Sequence, residues 1–217
     1  MIFENRADAG RQLAAKLAAY AGADTRVLAL PRGGVPVAYE VAMALHAPLD
    51  VFVVRKIGAP GREELAIGAI ASGGVRVLNE ETIAYLGVDR ETIEGITQRE
   101  LRELQRREQT YRGDLPAHDV AHRTVILVDD GLATGASMHA AILALRERVP
   151  RRLIVAVPVA PADTCAALEP LADNLVVLAT PDPFRGVGAW YADFSQISDD
   201  EVRSLLAQAA QSYAGKS

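Results

Sequence analysis

The sequence has one cysteine and no long apolar run, and both facts exclude whole classes of protein. With Cys165 as the single cysteine among 217 residues, neither an internal disulfide framework nor a cysteine-rich zinc site can form. We expect Cys165, which lies among alanine and leucine, to be a small buried residue. No apolar stretch approaches the ~20 residues that span a bilayer, and residues 1–11 carry charges where a secretory signal would be apolar. The sequence therefore predicts a cytoplasmic protein without a membrane partner.

The charge balance gives no sign of an extended nucleic-acid surface. The net charge is −5, from 28 acidic and 23 basic residues, whereas nucleic-acid-binding domains are usually basic. Hydrophobic residues make up 50% of the chain. This length and composition predict one globular α/β domain with a sizeable core, and we expect it to span residues 1–217.

Aromatic residues are scarce, and four of the eleven stand in the tail between Thr180 and Val202. Prolines and glycines interrupt regular structure there, so the aromatic area needs another explanation than a core helix. Either residues 180–217 form a C-terminal cap that packs over the sheet, or Trp190 and Tyr191 line a site where the flat ring of a ligand stacks. The sequence leaves both alternatives open.

The most informative segment is Val125–Ser137, with the sequence VILVDDGLATGAS. Its four leading apolar residues predict a buried strand of a parallel sheet, and ligands bind at the carboxyl ends of such strands. Asp129 and Asp130 stand at this end and are followed by a loop, Gly131–Ser137, that leads into a predicted helix. Loop N–H groups in front of a helix form an anion site. Carboxylates beside an anion site suit a sugar phosphate or a divalent ion.

This segment resembles the phosphoribosyl pyrophosphate (PRPP) motif of type I phosphoribosyltransferases, which consists of an apolar strand, two acids, a short loop, Thr-Gly, a small residue and Ser or Thr. A P-loop fits less well because no lysine follows the glycines, and a nucleophile elbow lacks its second glycine. The resemblance implies an α/β fold with an open, mainly parallel sheet flanked by helices, a small hood and a mobile lid. The core would span about residues 24–180.

The resemblance also assigns roles to the residues of the motif. Asp129 and Asp130 take the catalytic position beside the ribose hydroxyls, and Mg²⁺ is the implied cofactor, bound to these carboxylates through the ligand or water. The 5′-phosphate would be bound by the loop residues Gly131, Leu132, Ala133, Thr134, Gly135, Ala136 and Ser137.

A second loop follows the predicted strand Val27–Leu30. Gly33 and Gly34 allow close approach of the backbone to a ligand, and the Arg32 guanidinium suits phosphate oxygens. Alone, this loop would be a tight turn with an exposed arginine. Beside the PRPP-like motif we interpret it as a pyrophosphate loop, and the resemblance implies a non-proline cis peptide bond at or near Arg32.

Lys56 follows the predicted strand Leu49–Val54 and is either a solvated lysine or, as the resemblance implies, a catalytic cation that binds pyrophosphate. Because neighbours on a strand face opposite ways, we expect only one of Arg55 and Lys56 to reach the site. The next residues, Gly58–Glu64, predict a loop suited to a mobile lid. With a hairpin after it, the insertion would span about residues 57–79.

Two predicted helices complete the assignment. Arg6–Ala21 has helical spacing and is followed by Gly22, a plausible end signal. Glu91–Tyr111 is a long charged helix in which arginines alternate with glutamates. This pattern favours a solvated helix face over RNA binding, and the helix offers a surface for the homodimer that is common in the family.

These features predict a Mg²⁺-dependent transferase of nucleotide salvage that moves the phosphoribosyl group of PRPP to a small-molecule acceptor, with a nucleobase preferred, and releases pyrophosphate. Family members that act on 6-oxopurines carry an acid two residues before the loop glycine. Ala133 occupies that position, which disfavours hypoxanthine and guanine. Two alternatives remain open: a regulatory protein that senses PRPP or a nucleotide, and a phosphorolytic or hydrolytic enzyme on the same fold.

Overall fold

The computed structural model describes residues 3–113, 117 and 119–214, apart from the side chain of Glu64. The extreme ends of the predicted span 1–217 lie outside the described residues. The strands in the described ranges are β1 Thr25–Ala29, β2 Leu49–Val51, β3 Val54–Ala59, β4 Arg62–Ala71, β5 Val75–Leu78, β6 Thr124–Val128, β7 Arg152–Val159 and β8 Asn174–Ala179. The α-helices are α1 Arg6–Leu17, α2 Gly34–Leu45, α3 Glu80–Leu86, α4 Arg90–Arg112, α5 Ala136–Arg146, α6 Ala162–Leu168 and α7 Asp199–Ala214. Short 3₁₀ helices occur at Ala18–Tyr20, Glu169–Leu171 and Val187–Trp190.

A five-stranded parallel sheet lies at the centre of the fold, in the order β2-β1-β6-β7-β8. Successive side chains of a strand point to opposite faces, so β6 contributes to two cores. Ile126 and Val128 pack with α1, α2 and α7, whereas Val125 and Leu127 pack with α5 and α6. Helices on both faces explain the uninterrupted apolar sequence of β6. The predicted α/β fold with a mainly parallel sheet is confirmed.

A second sheet is antiparallel and consists of β3, β4 and β5. Its apolar side chains pack with α3 and α4 around Ile57, Ile67, Ile83 and Ile93. This sheet contains the predicted insertion 57–79. The predicted hairpin around Gly73 corresponds to β4 and β5.

The strand predicted at Leu49–Val54 is in fact divided between the two sheets. Phe52 still donates its N–H to Ala29 of the parallel sheet, but Val53 pairs with Ser72 at the end of β4. The apolar sequence runs on without a break across this change. Periodicity alone therefore gave no signal for the boundary.

The loop predicted at Gly58–Glu64 is a β-hairpin instead. β3 and β4 pair across it, with register shifts at Gly58, and Pro60 and Gly61 make the turn between them. Gly58, Pro60 and Gly61 led to the prediction of a longer loop, because glycine and proline usually interrupt regular structure. Here pairing with β4 accommodates Gly58.

Three further details differ from the predictions. α1 ends at Leu17 and continues as a 3₁₀ turn, so Gly22 is not its cap. Cys165 is partly exposed. α7, which the tail sequence did not predict, buries Val202 and Ala209 against the core of the parallel sheet. None of the described helices combines the length and apolarity needed to cross a membrane.

Two helix glycines provide a matched test of the packing. A Cβ added to Gly10 of α1 would lie 2.7 Å from the Val37 carbonyl oxygen of α2, whereas one added to Gly95 of α4 would meet nothing within 4 Å. We expect Gly10→Ala to lower the free energy of unfolding by about 1–3 kcal/mol through overpacking. Gly95→Ala should raise it by about 1 kcal/mol because alanine favours the helix. Urea unfolding measures both, and shifts of the same sign would contradict this account.

Candidate active site

The two predicted ligand loops meet at one edge of the parallel sheet, where β1 and β6 end side by side. Leu30 donates its N–H to the Val128 carbonyl oxygen at 2.9 Å, which joins the two loops at their base. A Cβ on Gly33 would lie 2.1 Å from Asp130 Oδ2, and one on Gly34 would lie 2.9 Å from Asp129 Cα. Only glycine fits this approach, so both glycines are explained by contact with the acids. The Pro31–Arg32 peptide bond is cis, where the resemblance located such a bond.

The acids themselves have different surroundings. Asp130 Oδ2 accepts a hydrogen bond from Arg6 Nε at 2.8 Å, and the pair is largely buried, with side-chain exposures of 14% and 9%. Asp129 Oδ1 accepts the N–H of Asp130 at 2.8 Å. Burial raises the pKa of the Asp129 carboxyl well above its usual value, and the charge of Asp130 adds to this effect. Burial also raises the pKa of Asp130, but Arg6 opposes the shift. The ligand-free pair therefore favours its proton on Asp129.

Arg6 is a site residue that sequence reasoning missed. It stands in the first turn of α1, 124 residues before Asp130, and its guanidinium also donates to the Ser195 carbonyl oxygen at 2.8 Å. The ring of Phe194 lies 3.9 Å from the guanidinium carbon, which is cation–π geometry. Nothing in the sequence around Arg6 distinguishes it from any other charged residue of an amphipathic helix.

The aromatic tail contacts the backbone of Asp130. Tyr191 is 6% exposed, its ring contacts those of Phe3 and Phe194, and its hydroxyl donates to the Asp130 carbonyl oxygen. Burial raises the pKa of the Tyr191 hydroxyl, so it remains a donor. This enclosed position favours the cap alternative over acceptor stacking for Tyr191. Trp190 packs beside it in the same cluster, and its indole N–H has no hydrogen-bond partner among the described residues.

The loop Gly131–Ser137 is hydrogen-bonded to β7 and α6 on one side and exposed to solvent on the other. Leu132 is buried and donates its N–H to the Val159 carbonyl oxygen at 2.9 Å, so it anchors the loop and has no N–H left for a phosphate. Thr164 Oγ1 of α6 donates to the Ala133 carbonyl oxygen at 2.8 Å. The exposed members of the loop are Ala133, Thr134, Ala136 and Ser137.

Local geometry at the loop requires its glycines. Gly135 has φ +72°, and its Cβ would lie 2.8 Å from the Thr164 methyl group. A Cβ on Gly131 would lie 2.6 Å from Val187. α5 begins at Ala136, whose N–H donates to Thr134 Oγ1 at 3.4 Å. The N–H groups that follow in its first turn lack helix partners and suit an anion.

A cleft of about 1070 Å³ adjoins these loops. Pro31 and Ser137 border it on the side of the parallel sheet, and β3, β4 and α4 form the opposite walls. Both Arg55 and Lys56 line the cleft, although only one was expected to do so. The reason is that Glu100 of α4, which lies in the same wall, holds the Arg55 guanidinium at 2.7 Å.

Arg32 follows Pro31, which lines the cleft. Its guanidinium is 3.7 Å from Asp199 at the start of α7, and Asp199 also accepts the Tyr111 hydroxyl at 3.1 Å. Together with Gly33 and Gly34, Arg32 is therefore at the sheet edge but directed towards α4 and α7. The side chain of Glu64, a candidate lid residue, lies outside the described residues.

Comparison with known proteins agrees with this geometry. A family model described as the phosphoribosyl transferase domain matches residues 1–181. Two Mycobacterium tuberculosis proteins, named "Putative phosphoribosyl transferase Rv0571c" and "Putative phosphoribosyl transferase MT0597" in strains H37Rv and CDC 1551, are each 46% identical over 213 residues. The match covers 98% of this chain and 48% of each relative. The chain thus spans about half the length of these curated relatives.

A solved structure extends the similarity to three dimensions. The crystal structure of TT1426 from Thermus thermophilus superposes with a TM-score of 0.87 at 43% identity, over 96% of this chain and 99% of that one. The fold, the position of the motif and the family model all point the same way. The chain belongs to the phosphoribosyl transferase family, a family of transferase enzymes, as its sequence predicts.

Proposed function

We propose that this chain transfers the 5-phosphoribosyl group of PRPP to a nucleobase and releases pyrophosphate. The observation that carries the proposal is the position of Asp129 and Asp130, which lie between two loops that each suit a phosphate group. PRPP has the same order of groups, with ribose hydroxyls between a 5′-phosphate and a diphosphate. A site for another sugar phosphate would need only one of the two loops.

Each part of the donor has a proposed partner. The two carboxylates accept hydrogen bonds from the ribose hydroxyls. Loop and side-chain donors from Ala133 to Ser137 bind the 5′-phosphate at the start of α5. Arg32 to Gly34 and Lys56 bind the diphosphate, whose negative charge grows as the bond to the anomeric carbon breaks. Catalysis then depends on alignment and electrostatic stabilisation rather than on a protein nucleophile.

We expect Mg²⁺ to bind beside Asp129 and Asp130 together with the ligand. Among the described residues there is no cluster of three or more His, Cys, Asp or Glu that could hold a metal ion by itself. Mg²⁺ is usually held by one or two carboxylates together with substrate phosphates, and Asp129 and Asp130 supply that number. When bound, Mg²⁺ would neutralise charge on the departing diphosphate.

The loop Gly131–Ser137 also bears on the choice of acceptor. Ala133 is exposed at the position where 6-oxopurine enzymes carry an acid, which supports acceptors other than hypoxanthine and guanine. Trp190 remains a candidate contact, with Tyr191 as its support beneath Asp130. Closure of the β3–β4 hairpin over the cleft would exclude water, since hydrolysis of PRPP competes with transfer.

The first test replaces both carboxylates. Asp129→Asn with Asp130→Asn keeps the shape of the side chains but removes their charge, so PRPP–Mg²⁺ should bind at least about 10-fold more weakly, for the loss of charge-assisted hydrogen bonds. Isothermal calorimetry gives the dissociation constants, and Asp200→Asn on the exposed face of α7 is the matched control. Equal affinity of the double variant and the parent would overturn the assignment. Pyrophosphate release with a panel of bases separates transfer from sensing or hydrolysis.

Arg6 provides a second test, because it acts through Asp130. Arg6→Ala leaves Asp130 buried without its partner, and we expect a loss of about 3 kcal/mol in unfolding free energy together with weaker PRPP binding. Arg6→Lys should recover part of both. Arg11→Ala, on the exposed side of the same helix with 56% of its side chain accessible, should change neither. Wild-type PRPP affinity in a folded Arg6→Ala protein would contradict the positioning role.

The raised pKa of Asp129 predicts a pH-dependent stability. The folded chain keeps a proton on this carboxyl at pH values where the unfolded chain has lost it, so its contribution to stability falls as pH rises above about 4. An asparagine side chain has no such proton to lose. Without ligand and in a chelator, Asp129→Asn should therefore have a higher Tm than the parent at pH 8, and the difference should shrink towards pH 4. A difference that is independent of pH would rule out this cause.

A further inference from the structure

One face of α4 lines the cleft. Its lining residues are Thr92, Gly95, Ile96, Arg99, Glu100 and Arg107. They recur at intervals of three, four and eight residues, which places them on one stripe of a helix. The adjacent stripe holds the buried residues Ile93, Thr97, Leu104 and Tyr111, which pack the helix against the rest of the chain. The helix therefore presents its second stripe to the cleft, and this stripe keeps exposed charges, as predicted.

The cleft has an excess of positive charge in an acidic protein. Among the described lining residues of the cleft, Arg55, Lys56, Arg99 and Arg107 are basic, and only Glu63 and Glu100 are acidic. The excess of positive charge stands against a net charge of −5 for the chain. Clefts lined by one sign of charge concentrate ligands of the opposite sign.

The arginines that line the cleft differ in whether they already have an acidic partner in the protein. Arg107 Nε is 2.9 Å from Glu103, and Arg55 is held by Glu100. Arg99 is exposed and makes no hydrogen bond or ion pair with the residues that the structure describes. A cationic donor directed into a cleft without a protein partner is available to an anionic ligand.

The place of the wall indicates which anion it meets. The cleft runs from Pro31, beside the loop with Arg32, to Ser137 in the other loop. Lys56, the proposed diphosphate cation, shares the cleft with Arg99. Gly95 leaves open space on the same helix face, since a Cβ there would contact nothing within 4 Å.

We propose that α4 supplies a diphosphate-binding wall, in which Arg99 is the main contact and Arg107 an auxiliary one, opposite the loop Arg32–Gly34. The inference rests on the proposed function, because it takes the diphosphate to be that of PRPP. The wall holds the diphosphate from the side away from the sheet. It gives the charged helix a role in binding that its sequence pattern did not suggest.

Calorimetry with three probes tests the wall: Mg²⁺–pyrophosphate, Mg²⁺–PRPP and ribose 5-phosphate, which lacks the diphosphate. Arg99→Ala should weaken the first two by about 10-fold, the loss expected for one charge-assisted contact, and leave ribose 5-phosphate unchanged. Arg107→Ala should have a smaller effect in the same direction. Arg102→Ala is the matched control, because Arg102 is exposed on the same helix but does not line the cleft.

The outcomes separate the inference from the function on which it rests. Unchanged pyrophosphate affinity of the Arg99→Ala protein would overturn the proposed wall. So would an equal loss of affinity for all three probes, a lowered Tm of the Arg99→Ala protein, or an equal loss of pyrophosphate affinity in Arg102→Ala. A parent protein that binds neither PRPP nor ribose 5-phosphate would instead refute the proposed function. In that case, pyrophosphate affinity would still show whether Arg99 binds a diphosphate.

Discussion

Burial of two adjacent carboxylates at the end of β6 is the constraint around which the rest of the site is arranged. A buried charge without compensation is costly, and the chain compensates the two acids differently. Asp130 has the Arg6 guanidinium, while Asp129 has the N–H of its neighbour and a raised pKa. The result is a pair in which one acid has a cationic partner and the other does not. It is also a pair whose full charge becomes favourable when hydroxyl donors or a cation arrive.

The surrounding loops follow from that arrangement. Gly33 and Gly34 have no side chains because the acids occupy the space, and this brings bare backbone up to the position where a ligand would lie. On the other side, Leu132 and Thr164 fix the second loop from behind. Rigid anchoring behind and exposure in front are what a preorganised anion site requires. The walls of the cleft beyond come from the antiparallel sheet and α4.

Local sequence predicted the features that depend on local sequence. The apolar run of β6, the two acids and the glycine loops could all be identified, because burial on both faces and tight turns restrict residue types at fixed spacing. What escaped prediction depends on distant pairing. Arg6 is an ordinary helix arginine until Asp130 lies beside it, and the division of Leu49–Val54 depends on Ser72 and the partner strand. The exposed charges of α4 were predicted, but alternating charges do not reveal which stripe faces a cleft.

The aromatic tail also connects the proposed donor site to two segments far apart in the sequence, around Phe3 and around Tyr191. Phe3 exchanges backbone hydrogen bonds with Trp190 and Ala192, and Arg6 and Tyr191 both hold Asp130. Segments nearly two hundred residues apart thus meet at one residue, Asp130, where Arg6 binds the carboxylate and Tyr191 the backbone carbonyl. The proposed donor site includes Asp130, so it is complete only when these segments have come together. Binding of PRPP at the proposed site would then stabilise this arrangement by mass action, by about 2.7 kcal/mol at a concentration 100 times Kd, so ligand concentration and folding would be linked in one equilibrium.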